Sequence, residues 1–369
     1  MKRVLLLGAG HTHLQVLRAI AEERWPSAQV VLVSPHPQMV YSGMVPGWLA
    51  GHYALAQCSI PVAPLAQAAG VEFAEAAAVR IDTAERSITL SDGRIADYDV
   101  LSLDTGAVID RDAIAGAREH ALAVRPIERF VDWFYGVTDL ASRRELDVVV
   151  VGGGAAGFEI ALAVQHRLSG GGQERARVSL VTGGPAPLDG QSAQVMARAA
   201  RALKRRRITV FEDSCTRVEA GRVHLANGAR LACDVPLLAT GASAPPWLAT
   251  SGLQLDERGF VATGPTLQSL SHPEVFAAGD IASRLDAPHP KSGVHAVRAG
   301  PVLALNLRRF VAGGALQPHV PPGKTLYLLS CGERRAIASW GGWSAEGRWV
   351  WWWKNHIDRK FVARHHVAG

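Results

Sequence analysis

Along this chain, short unbroken apolar runs end at glycine-rich turns, and the segments between them repeat at helical spacing. Residues 2–7, Val30-Val31-Leu32-Val33, Val148-Val149-Val150-Val151 and Arg177-Val178-Ser179-Leu180-Val181 read as strands. Runs that are apolar throughout, rather than alternating, belong to strands buried on both faces, as in parallel sheets. After Gly10, Leu14, Leu17 and Ala21 follow i, i+3, i+7 spacing, and residues 191–205 form a basic amphipathic stretch. Arg125-Pro126 opens a further helix carrying Phe130, Trp133 and Phe134. Strands alternating with helices predict an α/β fold. Residues 71–103 read instead as short strands around an Asp92-Gly93 turn, and Val223-His224-Leu225 with Asn227-Gly228 as a hairpin. Residues 326–353 are predicted as strands with glycine-rich turns, crowded with tryptophans, and 353–366 as a short basic helix.

The chain is organised around Val148–Ala161, where an apolar β-branched run stops at Gly152-Gly153-Gly154-Ala155-Ala156-Gly157 and an alanine-rich helix follows. This strand–turn–helix context gives G-x-G-x-x-G its meaning. Gly152 allows the tight turn, Gly154 the close approach of a pyrophosphate, and Gly157 close packing of helix on strand. A second such loop, Gly8-Ala9-Gly10-His11-Thr12-His13, stands near the N-terminus, with His13 in place of the third glycine. Where an acid ordinarily binds the ribose, Ser34 follows the first unit and Thr182-Gly183-Gly184 the second. Two dinucleotide sites in one chain imply two cofactors exchanging electrons.

Composition narrows this further. The chain has 369 residues, enough for two domains of ordinary size, with 48% hydrophobic and 20% charged residues, so a packed core is expected. A net charge of +6 suits anionic cofactors or a membrane surface. No basic run interleaved with aromatics stands outside the C-terminus, so nucleic acid is not expected as a partner. Cys58, Cys215, Cys233 and Cys331 are too far apart for a local dithiol centre, and no metal site is read. Lys2, Arg3 and the following run have the outline of a signal peptide, but the run enters the glycine loop directly and reads as a strand. No apolar stretch reaches the ~18 residues needed to span a bilayer. The expected location is cytoplasmic, or peripheral on the inner face of the cell membrane.

The motif order is a first glycine loop, the Thr105-Gly106 turn, a second glycine loop, the turn at Ala239-Thr240-Gly241, and a late Ala278-Gly279-Asp280. This order resembles the FAD-dependent pyridine nucleotide–disulfide oxidoreductase superfamily. Within it, the chain resembles type II NADH:quinone dehydrogenases. It is most similar to the flavoproteins found fused upstream of selenophosphate synthetase, although no synthetase domain follows here. That likeness rests on His11-Thr12-His13, Tyr41–Gly47, Val124–Phe130 and Trp353–Arg359. The resemblance implies two Rossmann-like dinucleotide-binding domains, the second inserted in the first, plus a short Trp-rich C-terminal segment. The expected divisions are 1–110 and 243–315 for the two halves of the FAD domain, 111–145 for a connecting segment, 146–242 for the NAD(P)H domain, and 316–369 for the C-terminal strands and basic helix.

The resemblance also implies residue roles. FAD is expected on Gly8, Gly10, His11, His13, Ser34, Ser42, Gly43, Thr105, Gly106, Gly279, Asp280 and Ser292. NADH or NADPH is expected on Gly152, Gly154, Gly157, Thr240 and Gly241. Glu159 and Lys291 are the expected catalytic residues: Glu159 near nicotinamide and flavin, Lys291 as a cation at the isoalloxazine edge. Read from the chain alone, Glu159 equally fits an exposed first-turn glutamate favoured by the helix dipole. The implied reaction passes hydride from NAD(P)H to flavin and then electrons to a small-molecule acceptor, a quinone by resemblance. Sulfide:quinone chemistry would need paired redox cysteines, and a flavin-binding partner protein of selenium metabolism is the other alternative. The oligomeric state is open, a homodimer included. Trp349, Trp353, Ile357 and Phe361 recur at i, i+4 spacing, with Lys354, Lys360 and Arg364 supplying charge, which fits membrane contact and equally fits packing onto the FAD domain or a second subunit.

Overall fold

The computed structural model describes residues 1–169 and 175–366. The apolar runs form two separate parallel sheets, each of five strands. The first is ordered Val275–Ala277, Val100–Leu103, Lys2–Leu7, Ala28–Ser34 and Glu72–Glu75. Its register sets Val4 against Val30 on one side and Val100 on the other, so the central strand is buried on both faces. The second sheet is ordered Leu122–Ala123, Val235–Leu238, Leu146–Val151, Ala176–Val181 and Thr209–Phe211. Here Val148 faces Val178 and Val235.

Residues from both ends of the chain complete the first sheet, and every strand of the second lies between them in sequence. The second unit is therefore inserted in the first. The 111–145 stretch is more than a connection, since Leu122–Ala123 forms an edge strand of the inserted sheet. Each parallel sheet has an antiparallel three-stranded companion, residues 78–97 in one unit and 215–232 in the other.

Behind the first glycine loop, the helix His11–Glu22 packs along Gly293–Val311. Thr12 Oγ1 donates to the Ala296 carbonyl at 3.1 Å, tying the two helix N-termini together. The C-terminus differs from expectation. Strands Leu326–Cys331, Glu333–Trp340 and Trp343–Gly347 form a sheet, but the helix begins at Arg348 and runs to Arg364, taking Trp349 to Trp353 out of strand. An aromatic run favours strand only where a sheet receives it. Here Val350, Trp351 and Val362 are buried on one helix face instead. No helix among the described residues is long and apolar enough to cross a membrane.

Candidate functional site

A cavity of about 350 Å³ runs from the end of strand Ala28–Ser34, past the first glycine loop, to the N-terminus of the helix Gly293–Val311. Gly8 has φ of 90°, and a Cβ there would meet the Asp104 carbonyl at 2.5 Å and Thr105 Cα at 2.6 Å. The glycine loop and the Asp104–Gly106 turn thus press directly on one another. The inserted unit repeats the device: Gly152, with φ of 128°, lies against the backbone of Ala239 and Thr240. Gly157 abuts the Gly152 carbonyl. Gly154, by contrast, faces open space, with nothing within 4 Å of an added Cβ.

Asp104, just before the Thr105-Gly106 turn, organises the first loop. Its carboxylate accepts from the backbone N–H groups of Thr12 and His13, both at 2.8 Å. The acid so caps the helix N-terminus, satisfying two amides that would otherwise lack partners. Burial pushes Asp104 up to about 8, against the pull of those two bonds. His13 is fully buried and does not line the cavity. Its ring joins the Gly8 carbonyl at 2.6 Å and Ser102 Oγ at 2.7 Å, stitching the loop to the neighbouring strand.

His11, Ser34, Ser42, Thr105, Gly106 and Asp280 line the cavity together. His11 Nε2 lies 3.4 Å from Ser42 Oγ, and burial lowers the imidazole to about 4 despite the attraction of Asp280. Asp280 is paired with Arg125 at 2.9 Å; from the sequence Arg125 carried no site role, only the opening of a helix and a place in the Val124–Phe130 stretch. Lys291 and Ser292 lie elsewhere, on a second cavity that shares Asp280 and Ala296 with the first. The Lys291 ammonium donates to the Ala282 carbonyl at 2.7 Å and sits 3.6 Å from the Phe260 ring centroid.

The two units meet at a cluster of charges. Lys354, on the C-terminal helix, donates to Asp358 at 2.8 Å and to the carbonyl of Gly43 at 2.7 Å. Its side chain is 12% exposed and that of Asp358 8%, so this is a buried pair and not the surface charge expected from the basic helix. Its i, i+4 spacing was the signal available in the sequence. Burial works against the Lys354 ammonium, but Asp358 and Glu159 hold its pKa above the ordinary value. Glu159 projects from the inserted unit's glycine-loop helix and accepts from Ser330 N–H at 2.7 Å. Burial pushes it up to about 7, with Lys354 drawing it back. Glu159 is only partly exposed, unlike the solvated first-turn glutamate of the alternative reading. Tyr41 stacks on Phe361 at 4.6 Å beside the pair.

The four cysteines are all free thiols, and burial raises the pKa of each. Buried thiols of raised pKa are poor nucleophiles. No cluster able to hold a metal ion occurs among the described residues.

Comparison with known proteins matches residues 2–300 to the family described as "Pyridine nucleotide-disulphide oxidoreductase". An NADH dehydrogenase-like protein of Mycobacterium tuberculosis is 28% identical over 78% of this chain and 75% of its own length. A type II NADH:quinone oxidoreductase of Staphylococcus epidermidis is 24% identical over 86% of this chain and 84% of its own. Among solved structures, the sulfide:quinone oxidoreductase of Aquifex aeolicus superposes with a TM-score of 0.83 at 17% identity, covering 99% of this chain and 91% of that one. NDH2 of Plasmodium falciparum in complex with NADH gives 0.83 at 12% identity, covering 99% and 97%. With paired glycine loops in an inserted-domain fold and a family match over most of its length, this chain belongs to the pyridine nucleotide-disulphide oxidoreductase family.

Proposed function

We propose that the chain is an FAD-dependent oxidoreductase that passes hydride from NAD(P)H to flavin and electrons onward to a quinone. The carrying observation is the charge cluster at the junction, where Lys354 bonds the Gly43 carbonyl of the first unit and faces Glu159 of the inserted unit. That arrangement brings the charge of Lys354 to bear on the helix that follows the second glycine loop.

The residues fit both dinucleotides. Gly8 and Gly10 keep side chains out of the cavity floor, and Ser34 offers a hydroxyl at the adenosine end. Asp280, steadied by Arg125, is placed to accept hydroxyl donors along the middle of the cavity. Gly154 leaves its surroundings open to the pyrophosphate of NAD(P)H. When bound, FAD supplies the hydride-accepting and electron-donating chemistry, and the protein supplies orientation and electrostatics. Lys354, which bonds the Gly43 carbonyl next to the cavity-lining Ser42, would favour negative charge on a flavin held beside that loop. Glu159, drawn up to about 7, can hold or release a proton at its carboxyl near neutral pH.

The relatives named as quinone oxidoreductases support the acceptor class. The surface of the C-terminal segment supports delivery from a bilayer. Trp340, Trp343, Trp349, Trp352, Trp353 and Ile357 are between 37% and 55% exposed, and Lys360 and Arg364 are exposed beside them. Tryptophan with basic residues suits the membrane interface.

The test is anaerobic titration of the purified, FAD-loaded chain with NADH and NADPH, followed by a soluble quinone. Bleaching of the flavin band and its return on adding quinone are expected. Failure of the folded protein to take up FAD, or of either coenzyme to bleach it, overturns the reading. For the membrane, the combined substitutions Trp343→Ser, Trp349→Ser and Trp352→Ser should abolish low-salt co-sedimentation with anionic liposomes. If the parent chain stays in the supernatant, membrane contact is wrong; self-association lost in the variant assigns the tryptophans to a homodimer instead.

A further inference from the structure

The second cavity, of about 260 Å³, lies behind the Gly279–Asp280 turn. Its wall is rich in nitrogen. His289 and His295 stack with ring centroids 4.3 Å apart, and Lys291, Arg258, Arg284 and His319 complete that side. His295 is 5% exposed; its Nε2 lies 3.3 Å from Thr325 Oγ1, but its Nδ1 has no partner. Ser292 Oγ, at the cap of the 19-residue helix Gly293–Val311, is likewise buried with no partner. Both residues line the cavity. Unpartnered buried polar atoms are uncommon and ask for a water, ion or ligand. A water occupies about 30 Å³ of liquid volume, so this space holds considerably more than one.

We propose that this cavity binds a small oxyanion, carried by a phosphate, sulfate or carboxylate group. The Ser292 hydroxyl and His295 Nδ1–H can donate to it, and the helix N-terminus adds the positive end of its dipole. His289 gives its Nδ1–H to the Ala287 carbonyl at 2.9 Å and adds a second donor, Nε2–H, only as the imidazolium. The Lys291 ammonium gives one hydrogen to Ala282 and retains others. Arg284 is committed to Asp286 and the His319 carbonyl, so it contributes field and not contacts. Arg258 is bonded to the Ala242 carbonyl. The acids facing the space are Asp256 and Asp280, and Asp280 is paired with Arg125. The balance among the facing groups favours an anion. Burial holds His295 and His319 down to about 4 and Lys291 down to about 8. An entering anion opposes that effect, so its uptake draws in protons and strengthens as pH falls. Because Asp280 and Ala296 line both cavities, an occupant here borders the site proposed for FAD.

The test is calorimetric titration of the FAD-loaded full chain with sodium sulfate, whose charge is constant between pH 6 and 8, with sodium chloride as control. Saturable binding is expected, roughly tenfold tighter at pH 6 than at pH 8, with proton uptake revealed by buffers of different ionisation enthalpy. Sodium oxalate in the same titration separates a planar carboxylate from a tetrahedral ligand. His295→Asn and His289→Ala should each weaken binding about tenfold or more while the flavin spectrum is retained. If His295→Asn does not retain flavin, the half-buried His289 decides. No saturation by either anion at about 10 mM and pH 6, or binding unchanged in the flavin-retaining variants, overturns the proposal.

Discussion

Replacing Lys354 with methionine should destabilise the chain well beyond the effect of an ordinary surface lysine. The aliphatic stem is nearly conserved in volume, so the change isolates the ammonium. Its loss leaves the Asp358 carboxylate, 8% exposed, facing an apolar neighbour, and removes the donor to the Gly43 carbonyl. Breaking one side of a buried pair costs about 3–5 kcal/mol, because an uncompensated charge stays behind. At about 2 °C per kcal/mol for a unit of this size, Tm should fall by about 6–10 °C. The double variant Lys354→Met, Asp358→Leu removes both charges and should recover most of that loss, since apolar replacement of a whole buried pair is often neutral or better. The assay is thermal melting of the FAD-loaded protein, followed by circular dichroism and by flavin fluorescence. A Tm within about 2 °C of the parent for the single variant, or a double variant no better than the single, refutes the reasoning. The first result would mean that Lys354 is solvated, the second that its contact with Gly43 outweighs its pairing with Asp358.

Gly154→Val should leave FAD bound yet abolish reduction by NAD(P)H, because an added Cβ meets no protein atom within 4 Å and the β-branched side chain would occupy the space an incoming pyrophosphate needs; equal loss of FAD would reverse the assignment of the two loops. Glu159 is raised by burial from 4.5 to about 7, so the folded state disfavours its charge and loses stability as pH rises through that window. The Tm of Glu159→Gln relative to the parent should therefore be more favourable at pH 8 than at pH 5, and an equal difference at both pH values would contradict this. Coenzyme preference should be weak or lean to NADPH, since Thr182-Gly183-Gly184 offers no carboxylate to the ribose; steady-state comparison showing NADH favoured by more than about tenfold, or ~1.4 kcal/mol, counts against it.

What could be read from the sequence was what neighbouring residues decide among themselves. An apolar β-branched run stopping at Gly152 is a strand and a turn in any surroundings, because no other residue adopts that backbone with comparable ease. The same holds for Gly8, and for the helices opened at His11 and at Arg125-Pro126. Two such units gave the α/β class, and the inserted arrangement was implied by the family that their order and the late Gly279-Asp280 resemble.

Residues whose role depends on what they face were not legible this way. His13 occupies a glycine position of a cofactor motif, yet bonds Gly8 and Ser102 and leaves the cavity to His11. Lys354 belongs to a basic stretch that reads as surface, but the helix starts five residues earlier than expected, at Arg348, and turns that lysine inward. The run Trp349–Trp353 has strand propensity, and the burial of Val350 and Trp351 overrides it. Asp104 reads as a turn acid, and only the approach of the helix His11–Glu22 makes it a cap. The sequence by itself determined the strands, the glycine turns and their order, because these depend on backbone conformation and local periodicity. The tertiary structure decided which charges are buried, and with what partners, because desolvation and pairing arise only when distant segments pack together.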